Sequence, residues 1–226
     1  TARVVIESNV PEVKNVPGRP GVVEVPLVAR SNLPPVAVAS DDQTVEPWPR
    51  VMVDGSKSYD RDEPPDEPLQ YSWTMTARPS GSTTVVERAR TATASFWVDL
   101  TGTYERELTV VDALGLSSTE PAKVVVDAMP KNAIHIELTW DHPDADLDLH
   151  LVREGGMFCD CTTDTHYRNC GVAPNWYPEK PGANPRLDVD DRGGFGPENI
   201  NLAGDGPTRF IPSDGYAILV NYYAAN

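Results

Sequence analysis

The chain has 226 residues, with 34 Asp and Glu against 19 Lys and Arg and a formal net charge of -15. That balance excludes nucleic acid as a partner, because phosphate binding needs a basic surface, and it disfavours adhesion to anionic lipid. The 22 prolines and 16 glycines are scattered along the chain, apolar residues keep no helical period, and no apolar run approaches the ~20 residues that span a bilayer. The pattern is that of an all-β, extracellular chain of tandem β-sandwich domains, without membrane insertion, and the length suits two ordinary domains plus a remnant. It starts at Thr1 inside a strand-like run without a signal peptide, as expected of a mature piece or an excised fragment.

Residues 1–33 contain two strand-like runs, 3–8 and 22–28, joined by a Pro/Gly-rich connection. Two strands cannot bury a core by themselves. The pattern "ARVVIESNVPE…VVEVPLVARSN" resembles the closing strands of Ig-like repeats of the HYDIN/ASPM type in bacterial surface proteins. The alternative is an extension that adds an edge strand to the next domain. Pro34 and Pro35 then form a stiff linker.

From residue 34 to 128 short alternating runs follow one another every ten or so residues, as in a β-sandwich: Val51 and Val53, Tyr71 to Met75, Phe96 and Val98, Leu108 to Val111, Val124 to Val126. "VDGSKSYDRD", "LQYSWTMTARPSGS" and "GTYERELTVVDALGLSS" resemble a polycystic kidney disease (PKD) repeat. Trp73 suits an inter-sheet core. Arg106 stands on an otherwise apolar face, which predicts an edge strand or an arginine that snorkels. Asp60, Asp62 and Asp112 are a second possible calcium site, although turn capping by Asp54, Asp60 and Asp112 is the commoner use of such residues. The acidic Pro-rich run 62–68 reads as an exposed loop.

Residues 129–226 begin a second sandwich with Ile134, Ile136, Leu138 and Trp140 in alternation. Two acidic runs follow. In "DADLDLHL" the leucines 147, 149 and 151 would face a core while Asp146, Asp148 and His150 face outward. In "RLDVDD" Leu187 and Val189 would face inward and Asp188 and Asp190 outward. If the strands are neighbours, four carboxylates share one surface and call for a cation. Asp146, Asp148, Asp188 and Asp190, with Asp144, Asp191, Glu198 and Asn199, are the candidate calcium ligands, and Gly193, Gly194 and Gly196 allow a tight turn beside the ion. Calcium is favoured over a merely solvated acidic face because Asp is depleted in strands. "LTWDHPDADLDLHL", "NPRLDVDDRGGFGPENINL" and "GYAILVNYY" resemble the YfaP-like group of bacterial secreted β-domains, and the first also resembles calcium-binding TerD-type domains. Domains of that group usually continue past the last of these strands, so a further strand is expected to be missing or to come from another chain.

Between the acidic runs lies a long insertion with Cys159, Cys161, His166 and Cys170. Its spacing is poor for zinc, and in a secreted chain a disulfide from Cys161 or Cys159 to Cys170 is the preferred reading. Phe158, Tyr167, Trp176 and Tyr177 would either form a glycan- or protein-binding surface or pack as the loop's own small core. No nucleophile elbow, zinc-protease helix or phosphate loop is present, so no enzyme activity is expected. The leading expectation is a non-catalytic adhesion or binding module of a bacterial surface or secreted protein, calcium-stabilised and recognising a glycan or a surface protein. The alternatives are a filament or coat subunit that self-associates by strand addition, and an accessory region of a secreted hydrolase.

Overall fold

The structure is a computed structural model that describes residues 32–62, 68–169, 174–192, 194–202 and 215–225. The strands expected at 3–8 and 22–28, and most of the acidic Pro-rich run, lie outside the described residues. The described chain is all-β, as the alternating patterns predict.

The first domain contains β1 (Gln43–Val45), β2 (Arg50–Asp54), β3 (Gln70–Ala77), β4 (Thr93–Trp97), β5 (Gly102–Val111) and β6 (Ala122–Ala128). One sheet runs β1-β6-β5-β3, with β1 parallel to β6, and β2 pairs with β4 in a second sheet. Their inner faces supply Val51, Val53, Trp73, Phe96, Tyr104, Leu108, Val110, Val124 and Val126, all buried. These are the alternate residues of each strand, since successive side chains point to opposite faces. The indole N–H of Trp73 donates to the Thr91 carbonyl, which satisfies the one polar atom that Trp brings into a core. Gly55 lies so close to this core that a Cβ would stand 2.4 Å from Leu108 Cδ2.

The acidic turn residues cap backbone. Asp54 accepts from the Ser56 N–H, Asp60 from the Asp62 N–H, and Asp112 from the N–H groups of Leu114 and Leu116. Asp62 accepts from the Leu33 N–H. Among the described residues, the groups able to share an ion do not include Asp60, Asp62 or Asp112.

Arg106 corrects an expectation. It is neither on an edge strand nor snorkelling: β5 lies between β6 and β3, and the side chain is fully buried. The guanidinium sits 3.8 Å from the Phe96 ring centroid, a cation–π contact that offsets part of its desolvation. Nη1 donates to the Glu105 carbonyl, whereas Nε and Nη2 are buried without a hydrogen-bond partner. Burial pulls its pKa down to about 10, so the charge persists at neutral pH. Because breaking even with an unpaired buried charge is difficult, Arg106→Met should stabilise this domain by about 1–2 kcal/mol. Hydrogen exchange of the β5 amides in the whole chain measures it, and faster exchange in the variant would show that the cation–π contact outweighs the orphaned N–H groups.

The second domain contains β7 (Ile134–Leu138), β8 (Ala145–Arg153), β9 (Asp164–Thr165), β10 (Pro185–Val189), β11 (Glu198–Leu202) and β12 (Tyr216–Ala225). One sheet runs β10-β11-β7 and the other β12-β8-β9, all antiparallel. Leu149 and Leu151 of β8 meet Leu187, Ile200 and Leu202 in the core between them, as the alternation predicts.

The two domains touch at Glu137, whose carboxylate accepts from both the N–H and the hydroxyl of Thr101. Behind it, His135 Nδ1 is 2.6 Å from Asn201 Oδ1 and its Nε2 is 3.6 Å from Glu137. Burial opposes charge on His135, but hydrogen bonds to Glu137 and Asn201 and the charges of Glu137 and Asp188 hold its pKa above the ordinary value. A raised folded-state pKa means that the contribution is complete below the unfolded value of about 6.5 and fades as pH rises through the folded one. The thermal midpoint of the wild-type chain should therefore exceed that of His135→Gln most at acidic pH. A difference that grows with pH would contradict this assignment.

Candidate metal centre

A β-bulge decides which carboxylates meet. Leu187 of β10 lies opposite Ile200, but Val189 lies opposite Asn199, so one extra residue is inserted at Asp188. Residues opposite one another share a face, and Leu187, Ile200 and Ile136 share the inner one. The bulge moves Val189 to the outer face and returns Asp190 to the inner face, opposite Glu198. Asp188 stays outside, where it pairs with Arg186 and Asn201. It lines a separate cleft of about 440 Å³ with Trp48, His135 and Arg186. The expectation that Asp188 joins the cluster is thus overturned by the bulge.

The residues that do converge are Asp148, Asp190 and Glu198, each with a ligand atom within 4.8 Å of the others. Asp146 is their neighbour: its pKa is raised by burial and by the charges of Asp148, Asp190 and Asp191. They border a cleft of about 270 Å³ lined by Asp146, Asp148, Tyr167, Asp190, Arg192 and Tyr223. Asp146, Asp148 and His150 share one face of β8 as predicted, but that face is buried rather than outward: Asp146 is 9% exposed, Asp148 4% and His150 0%. The insertion covers it, with Phe158 over His150 at 4.3 Å between centroids.

Glu198 is the centre of the site. It is fully buried because it shares the core face of β11 with Ile200 and Leu202. Its Oε2 accepts the Leu149 N–H at 2.6 Å, while Oε1 is buried with no hydrogen-bond partner. Burial, with the charges of Asp190, Asp148 and Asp146 behind it, pushes its pKa up to about 8. Asp148 is held by the Asn221 amide at 3.2 Å, and Asp190 has the exposed Arg192 Nε at 3.5 Å. Calcium takes oxygen ligands at about 2.3–2.6 Å, so donors on one ion stand up to about 5 Å apart, which the 4.8 Å span meets.

Asp144 is exposed in the β7–β8 turn, where its N–H donates to His142 Nδ1. Asn199 follows Glu198 on β11 and so points to the opposite face, opposite Glu137. Gly193 lies outside the described residues, and Gly194 packs against the Asp191 carboxylate. Trp176 is 5% exposed in the core and donates from its indole to the Thr162 carbonyl. The Tyr177 hydroxyl meets that of Tyr216. Both therefore pack into the core of the second domain and against β12 rather than into a core of the insertion's own, leaving Tyr167 at the cleft and Phe158 half-exposed. Cys159 and Cys161 are exposed and joined in no disulfide, and Cys170 lies outside the described residues. The sequence reading missed Tyr223 and Asn221 of β12 and Asp164, and it grouped His166 with the cysteines, whereas the insertion brings Asp164 and His166 against His150. Their signal was a second short alternation, Asp164-Thr165-His166.

The model of the K319L-like PKD domain family matches residues 39–126. Among solved structures, the PKD domain from the KIAA 1837 protein is 30% identical and covers 46% of this chain and 93% of its own, with a TM-score of 0.33. A nucleoside hydrolase-related hypothetical protein from Saccharophagus degradans, described as associated with carbohydrate metabolism, is 21% identical with a TM-score of 0.37. The match covers 44% of this chain and spans about a quarter (26%) of that protein. No curated protein matches this chain.

Proposed function

We propose, from the PKD-like domain formed by residues 39–126, that this chain is a non-catalytic extracellular binding or adhesion module whose second domain is ordered by calcium. The observation that carries the calcium reading is Glu198: a fully buried carboxylate whose Oε1 has no hydrogen-bond partner and whose neighbours are Asp148 and Asp190. Ionising such a carboxylate in a core is costly, and a divalent cation offsets both the desolvation and the mutual repulsion of its neighbours. Asp148, Asp190 and Glu198 would hold the ion, with Asp146 beside them. Tyr167 and Tyr223 at the mouth give the cleft an aromatic rim of the kind that glycans and protein loops contact. No helix among the described residues is long and apolar enough to cross a membrane.

Isothermal titration of the chelated chain with calcium tests the site. Stoichiometric uptake that Asp148→Asn and Asp190→Asn abolish supports it; uptake that survives both substitutions sinks it. Glycan-array and surface-protein binding, each with and without calcium, then tests the recognition role.

A second reading rests on β12. This ten-residue strand is an outer strand of its sheet, and Ile218, Val220, Tyr222 and Tyr223 are each more than half exposed. A long apolar edge is a template for pairing with another strand. In this reading β12 pairs with its counterpart in a second copy of the chain. Sedimentation at rising concentration checks it, with Val220→Lys expected to keep the chain monomeric; a wild-type chain monomeric throughout would rule the reading out.

A further inference from the structure

We infer that the chain carries a second cation site, of mixed nitrogen and oxygen donors, in which His150, Asp164 and His166 bind a zinc-class ion. It lies outside the oxygen-only cluster proposed for calcium and does not depend on it. One ligand atom from each of the three residues lies within 4.8 Å of the others, and all three side chains are fully buried. His150 Nδ1 stands 2.7 Å and His166 Nδ1 3.8 Å from Asp164 Oδ2. Donors held about 2.0–2.2 Å from a common zinc ion are separated by up to about 4 Å, so both separations suit one ion. The two imidazole rings lie nearly parallel, 5.0 Å apart.

The donors meet at one buried point. Asp164 Oδ2, beside His150 Nδ1, also accepts the Cys159 N–H at 2.7 Å, so the carboxylate draws the β8 imidazole and the backbone of the insertion together where an ion would sit. Imidazole donors select zinc and its neighbours, whereas calcium and magnesium prefer all-oxygen sites.

The location gives the ion a task. His150 is on β8, while Asp164 and His166 belong to the insertion that follows it. The insertion is long, and Cys159 and Cys161 are joined in no disulfide. An ion bridging β8 to the insertion would fix it across the face of the sheet, as structural zinc does in small domains that lack core of their own. Asp148 and His150, two residues apart on one face of β8, would then serve two different ions.

The test uses the whole chain, stripped with chelator, reloaded with zinc chloride or calcium chloride, desalted and analysed for bound metal. Wild-type chain should retain stoichiometric zinc, His150→Gln and His166→Ala should lose it, and the double variant Cys159→Ser/Cys161→Ser should keep it. A cooperative thermal unfolding transition in each variant reports whether it is folded. A readout free of substitution guards against misfolding: zinc added to wild-type chain should shift the ring-nitrogen resonances of two of the four histidines. Cobalt in place of zinc should give ligand-field bands without thiolate charge transfer. A wild-type chain that retains no zinc, or zinc that follows the cysteines rather than the histidines, overturns the site and leaves a hydrogen-bonded His–Asp–His cluster alone.

Discussion

Saturating calcium should raise the thermal midpoint of the chelated chain by about 4–8 °C, and Glu198→Gln should remove that increment. A ligand at about a hundred times its dissociation constant stabilises the folded state by ~2.7 kcal/mol. For a domain of 60–100 residues, each kcal/mol moves the midpoint by roughly 4–8 °C, so the expected increment requires only about 1 kcal/mol of that stabilisation. Glu198→Gln separates this explanation from a general loss of packing. Glutamine keeps the shape and can still accept the Leu149 N–H through its carbonyl, but it brings no charge into the core. Without calcium the variant should match or exceed the chelated wild type, because the group it removes is one whose ionisation burial and the charges of Asp190, Asp148 and Asp146 oppose. With calcium the order should reverse. Equal calcium shifts in variant and wild type would remove Glu198 from the ligand set.

This reversal depends on a residue that the sequence placed only at the margin of the site. The acidic runs were legible as strands, and the alternation of Leu149, Leu151 and Leu187 located the core. The tertiary context was not legible. Alternation shows that Asp146, Asp148 and His150 share a face, but it does not show that the insertion following β8 folds back over that face and buries it. Nor does it show a bulge, because an extra residue in one strand is defined only against its partner's register. Asp188 and Asp190 look equivalent in the sequence, yet the bulge between Leu187 and Val189 sends one to the Arg186–Asn201 side and the other to Glu198. Arg106 teaches the same lesson in the first domain. Its position in the alternation placed it inward, and only the packing partner, the Phe96 ring, explains how a guanidinium is tolerated there.

Gly196→Ala should destabilise the second domain by about 2–4 kcal/mol and weaken calcium binding, although the residue offers no ligand side chain. Two independent costs combine at this position. The backbone has φ of +79°, a left-handed conformation that costs a Cβ-bearing residue roughly 1–2 kcal/mol. The space is also filled: an added Cβ would stand 2.8 Å from Trp140 Cζ3 and 3.0 Å from the Leu138 carbonyl oxygen. Trp140 cannot simply turn away, because its indole N–H donates to the Ala145 carbonyl at the start of β8 and its own N–H donates to Phe195. Pushing the ring therefore disturbs the strand that carries Asp146 and Asp148, while pushing the loop disturbs Glu198 two residues on. Gly155 provides the comparison. Its φ is +74°, but an added Cβ meets nothing within 4 Å, so Gly155→Ala should show the backbone cost alone, about 1–2 kcal/mol, with calcium affinity intact. Hydrogen exchange resolved by peptide should place the loss for Gly196→Ala in β7, β8 and β11 and leave the first domain's β3 and β5 unchanged. If both glycine variants lose the same stability and neither loses calcium, the contact with Trp140 does not couple the turn to the metal centre.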